Sequence, residues 1–240
     1  MYGLQAKSDN DILILDGEYY NYTLKGGGDN QAVANAGGTA TYHTLVNITN
    51  TPNVPLVMVR PDPEVFTLVE GFAHSNNLYT GFYVAVQGWG SDGNATIDWR
   101  LYEAIKTSGY ASHGIRLRNS AGEVFYDSSY KPFKVRQVIS DIQVPDIGPP
   151  PLWEDFYMDI NHPTIVNPFY ILIPHGLWRG CHGGLSPYAW AHTWFKTGLK
   201  KLSSTSVRVG WFCYGYGVSS SGGAGSQGYN PKHTLLICEE

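Results

Sequence analysis

Four side chains of the types that bind metals lie close together in the second half of the sequence. His175, Cys181, His182 and His192 occur within IPHGLWRGCHGGLSPYAWAH. Zinc is held by deprotonated Cys or neutral His, usually at spacings such as CxxC or HxxxH that place two ligands on one turn or hairpin. The spacing here fits neither pattern, and His192 matches His74 in a repeated motif described below. We therefore expect His192 to be structural, and we expect neither a metal nor another cofactor.

Nucleophilic catalysis requires a serine on an elbow such as GxSxG, or a cysteine beside a base. Cys181 and His182 are adjacent in sequence, which places them on opposite faces of a strand. Cys213 and Cys238 lie in apolar segments, where cysteine packs as a small apolar side chain. These patterns predict no nucleophile.

Three carboxylates, Glu154, Asp155 and Asp159, lie in LWEDFYMDI. A glycosidase needs two carboxyl groups that face each other across a sugar. This segment follows three prolines, as a surface loop would, and solvated charge is the ordinary state of such a loop. A glycan hydrolase that uses Glu154 or Asp159 is therefore the third of three hypotheses. The glycine-rich GGGDNQ is not followed by the Lys-Ser/Thr of a phosphate-binding loop.

The segment WFCYGYGVSSSGGAGSQGYNP is the richest candidate binding surface. Aromatic residues flank a Gly/Ser loop at 219–228, and tyrosines beside small residues are typical of adaptable recognition loops and can stack on sugars. The alternative is a hairpin tip without a role, since loops tolerate insertion. The candidate binding residues are Tyr214, Tyr216, Ser220, Gly225, Gln227 and Tyr229.

Composition favours an all-β protein. Hydrophobic residues make up 42% of the 240 residues and charged residues only 15%, with 28 glycines, 17 tyrosines and 7 tryptophans. Glycines serve turns, and large aromatics suit pleated surfaces. A formal net charge of -4 without a basic cluster argues against nucleic acid as a partner. No apolar stretch reaches the ~18 residues of a membrane-spanning helix.

The start MYGLQAKSDND has no basic or apolar region of a signal peptide. Three cysteines, an odd number confined to one half of the chain, are unsuited to a disulfide framework. We therefore expect a protein made in a reducing cytosol and not inserted into a membrane.

An internal repeat organises the chain. YGLQAKSDNDILILDGEYYNYTL, which starts at Tyr2, aligns without a gap with HGIRLRNSAGEVFYDSSYKPFKV, which starts at His113, at an offset of 111 (113 − 2). Asp16 and Asp127 match in this alignment, and each is expected to accept a backbone N–H bond in an Asx turn. The repeat predicts two domains, residues 1–112 and 113–240.

Shorter matches continue the repeat at rising offsets. PLVMVRP matches PFYILIP at 113, FAH matches WAH at 118, VQGWG matches CYGYG at 127, and TIDWRLYE matches TLLICEE at 138. The last step predicts an insertion of 11 residues (138 − 127) in the second copy, within the loop 219–228. That insertion is expected to be exposed and mobile until a partner orders it.

Alternating residues predict strands in both copies, and LVMVR and FYILI read as central strands buried on both faces. Ile97, Leu101 and Ile105 also fit helical spacing, but we predict a strand there. Ser186 and Pro187 leave open one short helix in the second copy. The predicted fold is two tandem β-sandwich, jelly-roll-like domains related by internal duplication.

The segment HGIRLRNSAGEVFYDSSYKPFKVRQVI resembles a stretch of tailed-bacteriophage tail proteins, in which G-x-x-x-x-N-x-x-G-E-V-x-x-D-S-x-Y-K-P recurs. The opening MYGLQ is similar to the start of the same proteins. The first copy departs from the motif, with Ser8, Asp11 and Tyr20-Asn21 at the corresponding positions. The matching residues are Gly114, Asn119, Gly122, Glu123, Val124, Asp127, Ser128, Tyr130, Lys131 and Pro132.

The resemblance implies a non-enzymatic virion protein of a phage tail tip, baseplate or tail fibre, made in the bacterial host cytoplasm. The implied partners are other tail proteins and copies of itself, in a trimer or hexameric ring, with a host surface glycan or protein as a further contact. A duplicated chain gives a trimer six similar faces. The second hypothesis is a tandem carbohydrate-binding module.

Overall fold

The computed structural model describes residues 5–7, 13–16, 22–34, 43–87, 94–104, 115–118, 121–122, 124–129, 131–145, 156–173, 176–186, 189–219 and 225–240. All regular secondary structure within these ranges is β-strand. The strands are β1 (Gln5–Lys7), β2 (Leu13–Asp16), β3 (Tyr22–Ala34), β4 (His43–Thr51), β5 (Leu56–Arg60), β6 (Thr67–Ser75), β7 (Leu78–Val86), β8 (Asn94–Ala104), β9 (Arg116–Arg118), β10 (Val124–Asp127), β11 (Lys134–Ile142), β12 (Tyr157–Asn161), β13 (Phe169–Ile173), β14 (Leu177–Ser186), β15 (Ala189–Ser203), β16 (Ser206–Ser219), β17 (Gly225–Tyr229) and β18 (His233–Glu239).

Two antiparallel sheets contain most of these strands. The six-stranded sheet has the order β11-β18-β13-β5-β8-β3, and the second sheet has the order β12-β16-β15-β6-β7-β4, to which β14 and β17 add beside β15. In each half the first of these strands pairs with the last and the second with the next to last, as β3 does with β8 and β4 with β7. This nesting is that of a jelly roll. The all-β, sandwich-like class predicted from the sequence is therefore confirmed.

The two halves have the same strand order, reversed about the middle of each sheet. In the six-stranded sheet they join where β5 pairs with β13, and in the second sheet where β6 pairs with β15. Each sheet thus runs through both halves. The chain has the strand arrangement of two sandwiches joined edge to edge about a pseudo-twofold axis, although the internal duplication itself stays a prediction.

Each half nevertheless has its own core, because the inward residues of its two sheet portions meet each other. One cluster lies in the first half and includes Val46, Phe82 and Trp99, and another lies in the second half and includes Phe195, Val209 and Trp211. The central strands β5 and β13 are buried on both faces, as their apolar runs predict. A third cluster, with Met58, Tyr102, Phe169 and Cys238, covers the other face of the six-stranded sheet at the junction.

The two ends of the six-stranded sheet meet at one side. Leu24 N–H donates to the Lys131 carbonyl and Phe133 N–H donates to the Tyr22 carbonyl, both at 2.9 Å, and Thr23 and Pro132 form a bridge. A segment of the second half therefore closes onto the outermost strand of the first half. The third cluster lies on the face that this closure encloses, since Tyr22, Leu24 and Phe133 belong to it.

The register of the strands tests the predicted offsets. The offset of 111 holds for β1 with β9 (116 − 5) and for β2 with β10 (124 − 13), and 113 holds for β5 with β13 (169 − 56). A bulge follows Leu24 in β3 and another follows Val135 in β11, again 111 positions apart (135 − 24). These matches come from the parts of the chain where the sequence alignment needs no or few gaps.

Two later offsets are wrong. The β6–β7 hairpin turns after Ser75 and the β15–β16 hairpin after Ser203, so β6 corresponds to the second part of β15 at an offset of 128 (203 − 75). FAH and WAH are therefore not equivalent, and His192 is not the counterpart of His74. Leu24 pairs with Tyr102 and Val135 with Cys238, which gives 136 (238 − 102) instead of 138 for the last strand.

The short helix left open after Ser186 is also absent from the described residues. The tryptophans and leucines that fit helical spacing there lie in β15, which pairs with β16 from Trp190 to Ser203 and with β14 up to Lys196. Extended pairing on both sides satisfies the backbone of this segment, so tertiary contacts override its local pattern. The segment around Ile97 and Leu101 is the strand β8, as predicted.

Candidate functional site

Charged side chains gather where the two halves meet on the six-stranded sheet. The guanidinium carbons of Arg60 and Arg100 lie 4.3 and 4.9 Å from the centroid of the Phe169 ring. Arg60 also donates to the Asn167 carbonyl from Nε at 3.2 Å and from Nη2 at 2.7 Å, and forms an ion pair with Asp98. Because both arginines belong to the first half and Phe169 and Asn167 to the second, these contacts fasten the halves together.

Arg100 is the centre of a four-residue ion-pair network. Its Nε donates to Glu240 Oε2 at 2.8 Å and its Nη1 to Asp29 Oδ1 at 2.7 Å, while Lys131 Nζ lies 3.1 Å from Glu240 Oε1. Burial by itself lowers the pKa of Arg100 and raises that of Glu240. The hydrogen bonds outweigh burial in both cases, so the pKa of Arg100 is raised and that of Glu240 is lowered. Both groups are thus held in their charged forms.

Two consecutive glycines of β3, Gly27 and Gly28, let Arg100 and its neighbour Trp99 lie against the strand. A Cβ on Gly27 would stand 2.7 Å from Arg100 Cδ and 2.8 Å from the Trp99 carbonyl oxygen, and a Cβ on Gly28 would stand 2.5 Å from Trp99 Nε1. The strand and the Arg100 network line an open groove of about 410 Å³. The glycine run therefore belongs to a strand, and it makes room for the large side chains of the neighbouring strand.

A buried hydroxyl accompanies this network. Tyr102 is fully buried, and its hydroxyl has no hydrogen-bond partner among the described residues. Burial, and next the charge of Glu240, raises the pKa of Tyr102 to about 12. The hydroxyl therefore stays protonated at neutral pH.

The second sheet carries a different polar cluster on its outer face, the face away from the sandwich cores. Lys196 of the second half forms an ion pair with Glu70 of the first half, and His43 Nδ1 lies 3.9 Å from Glu70 Oε2. The His43 ring meets Tyr83 edge-on, with centroids 5.1 Å apart. Burial lowers the pKa of Lys196 to about 8. This cluster links the halves on the second sheet as the arginines do on the first.

A four-stranded extension of the second sheet, here called the arm, has no counterpart among the described residues of the first half. It consists of β14, β17, the beginning of β15 (189–194) and the end of β16 (214–219). In the first half residues 61–66 connect β5 to β6. In the second half β14 lies in the chain between the corresponding strands, β13 and β15. The second copy is thus lengthened at two places, and the two additions pair with each other.

The arm contains most of the binding residues predicted from the sequence. Tyr214 and Tyr216 lie in β16, and Gly225, Gln227 and Tyr229 lie in β17. Ser220 lies outside the described residues. The expectation of a mobile loop over 219–228 is wrong in part, because Gly225–Tyr229 is a strand that pairs with β14. Backbone pairing with β14, about 50 residues earlier in the chain, could not be read from the Gly/Ser composition.

The register gives the backbone partners of the three tyrosines. Tyr229 is opposite Leu177 and is 63% exposed. Tyr216 is opposite Thr193, and Tyr214 is the extra residue of a bulge. Among the predicted binding residues, Tyr229 alone has a side chain within the description.

Asp127 forms the turn expected of it. Its Oδ1 accepts the Ser129 N–H at 2.9 Å, two residues on, and its Oδ2 accepts from Arg116 Nε at 2.7 Å. Burial raises the pKa of Asp127, but the hydrogen bonds from Ser129 and Arg116 outweigh it, so the pKa is lowered. The role is structural. Asp16 ends β2 as Asp127 ends β10, but its side chain lies outside the description.

No group of three or more His, Cys, Asp or Glu side chains in the described part of the chain could hold a metal ion. Cys181 and His192 are directly opposite each other in the β14–β15 pair, and His182 is opposite Ala191. His175 lies outside the described residues. The spacing of Cys181 and His192 in the sequence does not indicate that they are neighbours. Their backbones lie opposite each other because β14 pairs with β15.

The other candidate nucleophiles and carboxylates have structural surroundings. Cys213 and Cys238 are buried in apolar clusters, and burial raises the pKa of Cys238 to about 12. Asp159 accepts from Arg208 Nε at 2.7 Å and from Nη2 at 2.9 Å, and the guanidinium carbon of Arg208 lies 3.4 Å from the Tyr157 ring centroid. Glu154 and Asp155 lie outside the described residues.

A histidine and a tyrosine in the second half form a hydrogen-bonded pair of the kind that can relay a proton, but both side chains are buried away from solvent. His162 Nδ1 donates to the Ile165 carbonyl at 2.9 Å, which leaves Nε2 to accept the Tyr170 hydroxyl at 2.6 Å. His162 is 1% exposed and Tyr170 is 2% exposed. Burial raises the pKa of Tyr170. The pair therefore satisfies buried polar groups and closes the turn after β12.

Sequence reasoning missed the residues that join the halves, above all Arg60, Arg100, Glu70 and Lys196. A weak signal exists, since charged residues inside apolar strands are rare and demand partners. No family model, curated protein or solved structure matches the chain. None of the described residues belongs to a helix that could span a membrane.

Proposed function

We propose that this protein is a non-enzymatic structural component of a bacteriophage tail, located at the tail tip, baseplate or tail fibre. The proposal rests on the similarity of residues 113–139 to tail proteins and on the architecture of the chain. The proposed partners are copies of the chain and other tail proteins, and the proposed site of synthesis is the bacterial host cytoplasm.

The observation that carries the proposal is the reversed strand order of the two halves. It gives one chain two similar sandwiches, so that three chains supply six similar units for a trimer or hexameric ring. Such a building block suits a place in a tail where rings of different symmetry meet. Both sheets cross the junction, through the pairing of β5 with β13 and of β6 with β15, which supports one assembled unit in each chain.

The edges of the second sheet favour assembly with further copies. Its main order contains an even number of antiparallel strands, so the outermost strands β4 and β12 run in opposite directions. A neighbouring copy brought up in the same orientation would therefore place its β12 antiparallel to β4 and continue the sheet. Leu45 on β4 and Met158 on β12 are 41% and 39% exposed.

A structural role agrees with the surroundings of the candidate catalytic groups. Within the described ranges, Asp159, Asp127 and Glu240 accept hydrogen bonds from arginines, and Cys238 and Tyr170 are buried. Each of these groups therefore has a role in holding the fold. For this reason we do not carry the hydrolase hypothesis further.

Two measurements test the proposal. Light scattering of the purified protein over a range of concentrations should show a trimer or larger ring, and Leu45→Lys or Met158→Lys should shift it toward the monomer, because charge on an edge strand blocks pairing. Val166→Lys is the control, since Val166 is 65% exposed and lies outside the strands.

Labelling with an antibody should locate the protein on purified tails of the phage that encodes it. Absence of the protein from intact particles would overturn the virion assignment. A protein that stays monomeric at all concentrations, alone and with other tail proteins, would overturn the assembly role.

A further inference from the structure

The face of the six-stranded sheet that carries the third cluster has two ends, which correspond to each other through the shared strand order of the halves. At one end, here called the arginine end, Arg60 and Arg100 lie over the Phe169 ring. The offset of 113 between β5 and β13 makes Ile173 the counterpart of Arg60 (173 − 60). The offset of 136 between β8 and β18 makes Leu236 the counterpart of Arg100 (236 − 100). The other end therefore has aliphatic side chains where the arginine end has guanidinium groups.

This other end, here called the apolar end, consists of four aliphatic side chains on one face of three neighbouring strands. They are Val138 on β11, Leu236 on β18, and Ile171 and Ile173 on β13. Cross-strand partners share a face, and Val138 is opposite Leu236, which is opposite Ile171. Ile173 lies two residues beyond Ile171 and so points to the same side. Val138 is 55% exposed and Ile173 is 49% exposed, so the apolar end presents aliphatic surface to solvent.

The carboxylates of the arginine end are replaced as well. Asp29 and Asp98, which pair with the two arginines, correspond to Ser140 (140 − 29) and Thr234 (234 − 98) at the same offsets of 111 and 136. The arginine end is thus closed within one chain, because each guanidinium lies on an aromatic ring and binds a carboxylate. The corresponding positions of the apolar end are uncharged, so this end is stabilised most by contact with a second apolar surface.

An exposed ion pair lies at the margin of the apolar end. Lys232 Nζ is 3.1 Å from Asp141 Oδ1, and the two side chains are 66% and 72% exposed. Ile173 is opposite Thr234, which lies two residues after Lys232, so the ion pair is beside the exposed aliphatic side chains. One positive and one negative charge leave this margin neutral, and two copies of it meet without net repulsion.

We infer that the apolar end is an interface between two copies of this chain related by a twofold axis. Both copies use the same surface in such a contact, so the surface must be complementary to itself. Aliphatic side chains of the two copies meet at the centre, and Lys232 of each copy lies near Asp141 of the other. An apolar centre with a polar margin is the ordinary composition of an interface.

The neutral margin favours a second copy over a partner of high charge of either sign. The inference goes beyond the proposed function, because it uses a surface other than the edges β4 and β12. It also holds whether or not the protein belongs to a virion.

The test measures self-association of the full-length chain by analytical ultracentrifugation. Leu45→Lys serves as the background, because it blocks the strand contact proposed above, and we expect a monomer–dimer equilibrium in it. Val138→Lys or Ile173→Lys, added to this background, should raise the dissociation constant about 10-fold or more, since each places a charge in an apolar centre. Val166→Lys is the matched control, because Val166 is 65% exposed and precedes β13, whereas Ile173 ends it. The control should leave the constant within about 2-fold.

Charge variants of the margin give a second readout. Lys232→Glu makes the margin acidic, and Asp141→Asn leaves it basic while it suits the positive φ of 58° at this position. Each variant alone should associate less tightly than the background, by about 3-fold or more. An equimolar mixture should associate more tightly than either variant alone, because unlike margins then meet.

Circular dichroism and melting curves separate loss of association from loss of folding. Should a lysine variant unfold, Val138→Thr keeps the branched shape and should weaken the dimer by a smaller factor. The inference is overturned if the Leu45→Lys background stays monomeric up to about 1 mM. It is equally overturned if Val166→Lys weakens association as much as Val138→Lys does, or if the mixed charge variants associate no better than each does alone. None of these outcomes affects the ring assembly through β4 and β12, which the wild-type protein reports separately.

Discussion

The two halves of the molecule share a strand order but differ in what their hairpins and junction residues do. The first half connects its strands by short loops and supplies Arg60, Arg100 and Glu70 to the junction. The second half supplies Phe169 and Lys196 to the same junction and carries the arm. The halves therefore share a scaffold of strands, and they differ in the residues that meet at the junction and in the arm.

Equivalent positions on β3 and β11 illustrate this difference. At the offset of 111, Gly27 of the first half corresponds to Val138 of the second (138 − 27), and Val138 is 55% exposed. Gly27 is opposite Arg100, whereas Val138 is opposite Leu236. A glycine is required only where a large charged side chain lies across the strand. Local sequence differences between the halves thus follow from their different partners.

The largest expected effect tests whether the halves are one folding unit. Phe82→Ala removes a fully buried ring that meets Trp99 edge-on, and should lower the free energy of unfolding by about 3–5 kcal/mol. Val209→Ala, in the core of the second half, should cost about 2 kcal/mol because it deletes less volume. Since both sheets cross the junction, we expect each variant to unfold in a single transition in denaturant. Two separate transitions would show that the halves are independent.

A smaller effect tests the difference between Gly27 and Val138. Gly27→Val gives the first half the residue of the second, and its Cβ would meet Arg100 and the Trp99 backbone. We expect a loss of about 1–3 kcal/mol in the free energy of unfolding. Gly26→Ala is the control, because a Cβ there meets nothing within 4 Å, and its effect should be within about 0.5 kcal/mol. Equal effects of the two substitutions would contradict the account.

The ion pairs of the junction should contribute less, and in a pH-dependent way. The pKa of Glu240 is lowered in the folded protein, so its contribution is present above the unfolded pKa and is lost as the pH falls through the folded pKa. Glu240→Gln should therefore reduce stability by about 1 kcal/mol at pH 7. The difference from wild type should vanish in acid. A difference that stays constant in denaturant titrations from pH 7 to acid would rule out an ionic origin.

The smallest effect at neutral pH concerns the junction on the second sheet. Burial lowers the folded pKa of Lys196 to about 8, below its unfolded value, so the unfolded chain binds more protons between these two values. Wild-type stability should therefore rise relative to Lys196→Met as the pH increases from 8 toward 10.5, and stay parallel to it below 8. Melting curves at closely spaced pH values measure this slope, and a slope of the opposite sign would refute the assignment.

Much of the fold could be predicted because strand formation follows local pattern. The runs around Val57 and Tyr170 identify central strands, since only strands buried on both faces are continuously apolar. Asp127 could be assigned to its turn because an Asx turn needs only the next two residues. The constant offset of 111 also predicts that β1, β2 and β3 correspond to β9, β10 and β11, because the alignment there needs no gap.

The candidate site could not be predicted in this way. The sequence Gly225–Tyr229 suggests a loop because glycine and serine have little preference for strands. Pairing with β14 nevertheless makes this segment a strand. Trp190 and Trp194 fit a helix by spacing, yet both lie in β15, which pairs with β14 on one side and β16 on the other. Only the pairing with neighbouring strands decides between the helical and the strand period.

The sequence by itself determined the all-β class and the central strands, because each depends on residues that are near each other in the chain. The tertiary structure decided that both sheets run through the junction, that the two insertions form one arm, and that Arg100 meets Glu240 at a separation of 140 residues. Those features depend on pairing between distant segments. Such pairing is selected by the packing of the whole chain, which local residue patterns do not specify.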